Sequence, residues 1–238
     1  MSHDVRLLNA RFGTDEQAAL RFALSGAAGR IAMVSSFGAE SAVLLHLVAG
    51  VAPDTPVLFI DTLMLFPETL AYQRALSETL GLTDVRIIRP NRRTVLEADS
   101  NATLHRSDPD ACCHVRKTQP LRGALQEFDG WITGRKRFQG GARAALEMFE
   151  SDGETGHLKI NPIASWDVQD IAAYMTDHDL PRHPLVERGY PSIGCIPCTA
   201  PVAPGESPRA GRWCGQDKTE CGIHIANGVV TRTPAAHA

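Results

Sequence analysis

Residues 31–47 read Ile31-Ala32-Met33-Val34-Ser35-Ser36-Phe37-Gly38-Ala39-Glu40-Ser41-Ala42-Val43-Leu44-Leu45-His46-Leu47, and their order decides the fold class. The apolar run 31–34 is too short for a helix and shows no alternation, so it predicts a strand buried on both faces. A Ser/Gly loop follows at once, and an apolar run of helical character follows the loop. Strand, tight loop and helix form the opening unit of a parallel α/β sheet. A loop containing Ser36, Phe37 and Gly38 at a helix N-terminus offers unpaired backbone N–H groups, hydroxyl donors and the positive end of the helix dipole. That combination suits a phosphate or a sulfate. It is not a Walker loop, because no Gly-Lys-Ser/Thr follows.

The unit repeats along the chain. Val57-Leu58-Phe59-Ile60 predicts a second buried strand ending in Asp61-Thr62, and Pro67-Glu68-Thr69 starts a helix running to about Leu80-Gly81. Polar residues at that strand end lie where open parallel sheets bind ligands. Val85-Arg86-Ile87-Ile88 predicts a third strand, Gly130-Trp131-Ile132-Thr133-Gly134 a fourth, and Lys159-Ile160-Asn161-Pro162-Ile163 another. Thr14-Asp15-Glu16-Gln17 has a capping-box pattern with Thr14 at the N-cap and opens a lead-in helix that stops near Gly26 or Gly29. Asp167 with Asp170 opens an amphipathic helix over 168–178, and 181–213, rich in Pro, Gly and Arg, predicts irregular structure. The expected fold is α/β, a twisted, mostly parallel sheet with helices on both faces. It ends in an irregular C-terminal region and a mobile tail, signalled by Asn227-Gly228 and the polar, Ala-rich stretch 231–238.

A chain of 238 residues, 43% of them hydrophobic, fills one large α/β domain and buries a substantial core. Lys and Arg number 24 against 27 Asp and Glu, a net charge of −3, which excludes nucleic-acid binding by bulk positive charge. Anions must therefore be held by local basic clusters. No apolar run of about 18 residues exists for a membrane span. The first residues lack the basic flank and apolar run of a signal peptide, so a cytoplasmic location is expected. Six cysteines in a reducing compartment point to metal binding or catalysis before a disulfide framework.

Three clusters carry the chemistry. Arg135-Lys136-Arg137-Phe138-Gln139-Gly140-Gly141-Ala142-Arg143 places four cations after a strand end, interrupted by two glycines, and reads as an anion clamp more than as a solvated face. Arg209 and Arg212 form a second cationic cluster. Cys112-Cys113 and Cys195-Ile196-Pro197-Cys198 are two remote pairs that together make a Cys₄ site, suited to tetrahedral zinc or to an iron–sulfur cluster. Adjacent cysteines are awkward on one zinc ion, and a four-iron cube has a separate corner for each, which favours iron–sulfur. Finally, Lys218-Thr219-Glu220-Cys221-Gly222-Ile223-His224 suggests a reactive thiol. Cysteine attacks only as thiolate, and positive charge from Lys218 and His224 would lower its pKa. Taken alone, the heptad is equally consistent with a small buried thiol beside a turn.

Together these segments resemble the assimilatory sulfonucleotide reductases, which reduce adenylyl sulfate or its 3′-phosphorylated form to sulfite. The resemblance covers almost the whole chain. It rests on Ser36-Phe37-Gly38-Ala39-Glu40-Ser41, Asp61-Thr62 with Leu65-Phe66-Pro67-Glu68-Thr69, Cys112-Cys113, Ile132-Thr133-Gly134 with Arg143, Ser192-Ile193-Gly194-Cys195-Ile196-Pro197-Cys198-Thr199, Arg209-Ala210-Gly211-Arg212-Trp213 and the Cys221 heptad, all in the family's order. It implies an adenine-nucleotide α-hydrolase-like fold, with a nucleotide-binding reductase domain over 1–205 and a C-terminal segment over 206–238 that carries the catalytic cysteine.

The cysteine quartet resembles that of the branch that binds one [4Fe–4S] cluster and prefers adenylyl sulfate; enzymes using the 3′-phosphorylated substrate commonly lack it. The implied reaction is thioredoxin-dependent reduction of adenylyl sulfate to sulfite and AMP in sulfate assimilation and cysteine biosynthesis. Cys221 attacks the sulfur to give an S-sulfocysteine, and thioredoxin or a similar dithiol protein then releases sulfite. Lys117 matches the lysine between cluster and substrate, while Lys136, Arg137, Arg143, Arg209 and Arg212 would surround the anions. The alternatives are a reductase of the 3′-phosphorylated substrate, a non-catalytic zinc- or nucleotide-binding regulator, and an ATP-pyrophosphatase-type enzyme, whose loop usually carries more glycine. Oligomeric state stays open, a homo-oligomer included. The chain departs from the family pattern at Leu63, where glycine is frequent, at Phe138-Gln139-Gly140-Gly141, usually a more polar run, and at Cys214.

Overall fold

The structure is a computed structural model that describes residues 3–153, 155–214 and 218. Its centre is a six-stranded sheet of order β3-β2-β1-β4-β6-β5, built from β1 (Ile31–Ser35), β2 (Val57–Ile60), β3 (Val85–Ile88), β4 (Gly130–Ile132), β5 (Phe149–Ser151) and β6 (Leu158–Ile160). All neighbours run parallel except β5, which pairs antiparallel with β6. Side chains alternate between faces along a strand, and that period sorts the core into two layers. Ile31, Met33, Val57, Phe59 and Ile132 enter one hydrophobic cluster. Ala32, Leu58, Ile60 and Trp131 enter the other.

Helices cover both faces. The first cluster is closed by α2 (Glu16–Leu24), α3 (Ser41–Val51), α4 (Pro67–Thr79) and α9 (Val168–Asp177), with α1 (Val5–Phe12) at its margin. The second face is covered by α8 (Gln119–Leu125), through Leu121 and Leu125. Between β3 and α8 run the short helices α5 (Arg92–Ala98), α6 (Leu104–Ser107) and α7 (Pro109–Cys113), then a single π turn, His114–Thr118. None of the described helices is long and apolar enough to cross a membrane.

Most of the expected elements stand where the patterns put them, and the differences have local causes. The N-cap of α2 is Asp15, not Thr14, because the Asp15 carboxylate accepts the Ala18 N–H at 2.8 Å. The strand expected through Ile163 ends at Ile160; Asn161 instead turns its side chain into a buried polar network, where its amide donates to the Glu147 carbonyl at 2.8 Å. Strand β5 has no clear sequence signal. Its edge is covered by Asn9 of α1, whose side-chain amide both donates to and accepts from the Phe149 backbone, at 2.9 and 2.8 Å.

The irregular segment after α9 is fastened to α4. Tyr72 donates its hydroxyl to the Pro181 carbonyl at 2.7 Å, and the fully buried His183 bridges Thr69 and the Leu185 N–H, at 3.0 and 3.1 Å. Because Nδ1 accepts from Leu185, Nε2 carries the proton and the ring is neutral. Burial drops the His183 pKa to about 4, with the Glu68 charge acting the other way. A histidine depressed in this way stabilises the fold fully above its unfolded value near 6.5, and that contribution is lost as pH falls through about 4. The unfolding free energy of the wild-type chain should therefore fall by up to about 1.4 kcal/mol per unit between those two values. In His183→Gln, which cannot titrate, urea titrations across that range should lack this slope; an unchanged slope would remove His183 from the account.

Candidate active site

The sheet order places β1 and β4 side by side although they are distant in sequence, so the connections leaving them diverge to opposite halves of the sheet. A crevice opens at such a switch point, outside the C-terminal strand ends. Here it is a cavity of about 280 Å³, lined by Ser36, Gly38, Glu40 and Ser41 after β1, Thr62 after β2, Gly134, Arg135, Lys136 and Arg143 after β4, and Arg209, Arg212 and Trp213 from the C-terminal part. Lys117 lines it from the π turn.

The loop after β1 owes its shape to Phe37. This residue adopts φ 47°, and its ring is wholly buried in a T-shaped contact with Phe59 at 5.2 Å. Phe37 was expected among the substrate-binding residues, but its side chain anchors the loop from beneath instead of lining the cavity. Ser35 Oγ accepts the Phe37 N–H at 3.2 Å and Ser41 Oγ accepts the Gly38 N–H at 2.8 Å, so the loop is held at the start of α3. Ser36 and Gly38 are left facing the cavity.

The cationic run divides in the fold. Lys136, only 3% exposed, pairs with Glu40 at 2.6 Å, and Arg143 donates to Gln139. Both line the cavity. Arg137, expected beside them, is exposed and donates to the Leu146 carbonyl at 2.7 Å, outside the lining. Its neighbour Arg135 faces inward and joins Glu150, Asn161 and Thr133 at 2.6, 3.0 and 3.2 Å. The cation density of the run was the available signal for Arg135; which members turn inward follows from the 3₁₀ turn Arg137–Gln139. Asp61 is also not at the cavity. One of its oxygens pairs with Arg89 at 2.9 Å, and the other accepts the N–H of Leu63, which stands at φ 62° where a glycine would be unstrained.

Beside this cavity lies a second, smaller one, lined by Cys112, Cys113, Cys195 and Cys198 together with Arg116 and Lys117. Two contacts of Thr62 bring the pairs together. Its carbonyl accepts Arg116 Nη1 at 3.2 Å, and its hydroxyl lies 3.2 Å from Cys195 Sγ. Arg116 in turn pairs with the buried Asp99 at 2.8 Å. Burial would raise the Asp99 carboxyl, but the Arg116 guanidinium and the Leu104 and Thr103 N–H groups outweigh it and hold its pKa below the ordinary value.

The four thiols fit a group that brings positive charge. Burial pushes the Cys112 thiol up to about 11, with Cys113, Cys195 and Cys198 adding to the rise and Arg116 opposing it. Burial raises Cys198 likewise, against the charges of Lys117 and Arg212. Among the described residues no three His, Cys, Asp or Glu side chains converge closely enough to hold a single metal ion.

Arg212 reaches the cavity through a gap left by Gly194. A Cβ there would lie 2.3 Å from Arg212 Nη2 and 2.7 Å from Cζ. The guanidinium donates to the Cys198 carbonyl at 3.3 Å and stacks on Trp213 with its carbon 4.5 Å from the ring centre. Arg209 stands over the same ring at 5.7 Å. Lys218, expected to lend its charge to Cys221, instead gives its ammonium to Asp110 and to the Pro109 carbonyl. Cys221 and His224 lie outside the described residues. Cys214 is exposed and contacts the Ala210 carbonyl at 3.4 Å.

Residues 30–201 match the phosphoadenosine phosphosulfate reductase domain. The chain is 50% identical over 206 residues to an adenosine 5′-phosphosulfate reductase of Mesorhizobium japonicum, covering 87% of this chain and 80% of the relative. It is 39% identical over 201 residues to a phosphoadenosine 5′-phosphosulfate reductase of Gloeobacter violaceus, covering 82% of each. Among solved structures it is similar to the phosphate complex of a phosphoadenylyl-sulfate reductase from Candida auris, with TM-score 0.70, 26% identity and coverage of 82% of this chain and 95% of that one. An FMN adenylyltransferase from Candida glabrata shares the fold, with TM-score 0.57, 16% identity and coverage of 87% and 72%.

Gly194→Ala should displace the Arg212 guanidinium while leaving the sheet intact. Loss of one charge-assisted contact corresponds to roughly tenfold or more in affinity. Calorimetry with AMP is expected to show that weakening with an unchanged melting temperature. Wild-type affinity would mean that Arg212 does not face the ligand.

Proposed function

The chain belongs to the phosphoadenosine phosphosulfate reductase family, and from that premise we propose that it reduces adenylyl sulfate to sulfite and AMP, with electrons from a separate dithiol protein of thioredoxin type. The observation that carries this reading is the meeting of two sites across one lysine: Lys117 lines both the anion cavity and the four-cysteine pocket. The preference for adenylyl sulfate over its 3′-phosphorylated form is supported by the cysteine quartet and by the name of the relative at 50% identity. Turnover assays with the two nucleotides side by side test it.

In this reading Ser36, Gly38 and the N-terminus of α3 receive one anionic group of the substrate, Thr62 and Gly134 shape the cavity wall, and Lys136, Arg143, Arg209 and Arg212 surround the remaining charge. The Cys221 thiolate forms an S–S bond to the sulfate sulfur as the bond from sulfur to the bridging oxygen breaks, and that electron pair leaves with AMP. Negative charge grows on the leaving phosphate, so the cations there strengthen in the transition state. A thiolate of the dithiol partner next attacks Cys221 Sγ and expels sulfite. Its second thiol resolves the mixed disulfide, which supplies the two electrons. A cationic His224 would favour the Cys221 thiolate. Cys112, Cys113, Cys195 and Cys198 would hold one [4Fe–4S] cluster, which when bound supplies charge beside Lys117. In this reading the nucleotide-binding reductase domain spans 1–205 and a C-terminal segment over 206–238 brings the catalytic cysteine, in a reducing cytoplasm.

Cys221→Ser is expected to keep its iron and its AMP affinity yet release no sulfite, while wild-type protein incubated with adenylyl sulfate and no reductant gains the mass of one sulfite adduct on Cys221. Substantial sulfite release by the serine variant would sink the mechanism. Cys195→Ser should lose bound iron along with activity. Metal analysis that finds zinc in place of iron in the purified wild-type protein would turn the four-cysteine assignment toward the regulator reading.

A further inference from the structure

The walls of the anion cavity are not all charged. Its cations Lys136 and Arg143 follow β4, whereas β2 and its connection to α4 contribute Ile60, Thr62, Leu65 and, in the first turn of α4, Thr69. In the sheet order β2 and β4 flank β1, so two strand spacings, about 10 Å, separate the two contributions. An apolar wall that carries a neutral polar group suits the uncharged part of a ligand. Thr62 is already engaged, since its hydroxyl accepts the Met64 N–H at 3.3 Å and lies 3.2 Å from Cys195 Sγ. Thr69 is therefore the polar group with capacity to spare on this wall. It is 1% exposed, and its backbone N–H donates to the Phe66 carbonyl at 3.0 Å, which sets its place on the cavity floor.

Among the described residues the Thr69 hydroxyl has one hydrogen-bond partner, Nε2 of the fully buried His183 at 3.0 Å. His183 Nδ1 accepts the Leu185 N–H at 3.1 Å, so the neutral ring donates through Nε2 and Thr69 Oγ1 accepts. The hydroxyl keeps its own proton. A helical threonine commonly gives that proton to the carbonyl of the preceding turn, as Thr176 does to Ala172 at 2.9 Å. Thr69 makes no such bond among the described residues. A buried O–H left without an acceptor is costly, and the cavity that Thr69 lines is where an acceptor can arrive. We propose that Thr69, its oxygen held by His183, donates a hydrogen bond to a ring nitrogen of the purine base of the bound nucleotide. Thr69 touches the ligand, and His183 is a positioning residue that fixes the direction of the hydroxyl. The inference rests on the reading of this cavity as a nucleotide site, and it adds recognition of the base to that of the anions.

Calorimetry on the full chain tests it, with AMP and with the AMP analogues in which N1, N3 or N7 of the base is replaced by CH. Thr69→Val should bind AMP about threefold to tenfold more weakly, the loss of one neutral hydrogen bond. Thr69→Ser, which keeps the hydroxyl, should bind AMP like the wild type. One of the analogues should bind the wild type with the same loss and lose nothing further in Thr69→Val, because the two changes remove the same bond. His183→Leu should lose part of the affinity for AMP and none for that analogue, a selectivity that general loosening of the fold would not produce. Wild-type AMP affinity in Thr69→Val, or an equal loss for AMP and for every analogue, would overturn the contact. If His183→Leu does not fold, the Thr69 variants decide. Wild-type protein that binds no AMP would overturn the nucleotide reading itself, whereas AMP binding that is indifferent to Thr69 overturns this inference alone.

Discussion

Thr62 gives its carbonyl oxygen to Arg116 and its hydroxyl to Cys195, and on those two contacts the assembly of the site depends. Arg116 lies 54 residues away and Cys195 lies 133 away, so one buried residue at the end of β2 joins the segments that carry the two cysteine pairs. The loop around it extends the junction, with Leu65 bridging Cys195 and the Ile196 N–H donating to the Met64 carbonyl at 2.8 Å. The Arg116 cation is tolerated there because the Asp99 carboxylate lies 2.8 Å away; removing one partner from such a buried pair costs about 3–5 kcal/mol.

The same constraint governs the anion cavity. Its buried cations have protein partners, Lys136 with Glu40 and Arg135 with Glu150. An incoming anion therefore meets cations whose positions are already set, which is the condition for electrostatic preorganisation. Backbone strain is concentrated in the same region. Phe37, Leu63 and Trp213 each adopt a positive φ, a conformation that costs a non-glycine residue about 1–2 kcal/mol. Burial of the Phe37 ring and of the Trp213 indole offsets it at two positions, and the Asp61 cap on the Leu63 N–H offsets it at the third. Each of these residues turns the chain where a strand end or loop must present its neighbours to the cavity.

The wall shared by the two cavities is the feature with most functional weight. Lys117 belongs to both, and it sits in a π turn directly after Cys113, where the extra residue per turn re-aims side chains relative to an α-helix. Had the α-helical period continued from α7 into α8, the side chains of residues 114–118 would be distributed differently around the axis. The position of Lys117 thus follows from a local irregularity that no apolar periodicity announces.

The sequence by itself determined the parallel α/β scaffold, because four-residue apolar runs ending in polar loops have few other ways to be buried, and the strands 31–35, 57–60, 85–88 and 130–132 lie where those runs predict. It also suggested that Cys112, Cys113, Cys195 and Cys198 belong together, and in the fold all four line the smaller cavity. Only the tertiary structure decided which polar residues face the ligand. Arg135 and Arg137 are chemically equivalent in the sequence, yet one is buried in a network with Glu150 and the other is exposed. Phe37 and Asp61 were read as site residues, yet neither lines the cavity: the Phe37 ring packs on Phe59, and Asp61 pairs with Arg89 and accepts the Leu63 N–H. Lys218 was read as an acidifying charge and is bound to Asp110, 108 residues away. The physical reason is the same in each case: local pattern fixes which segments are buried, whereas the partner of a polar side chain is fixed by which distant segments packing brings within hydrogen-bond reach.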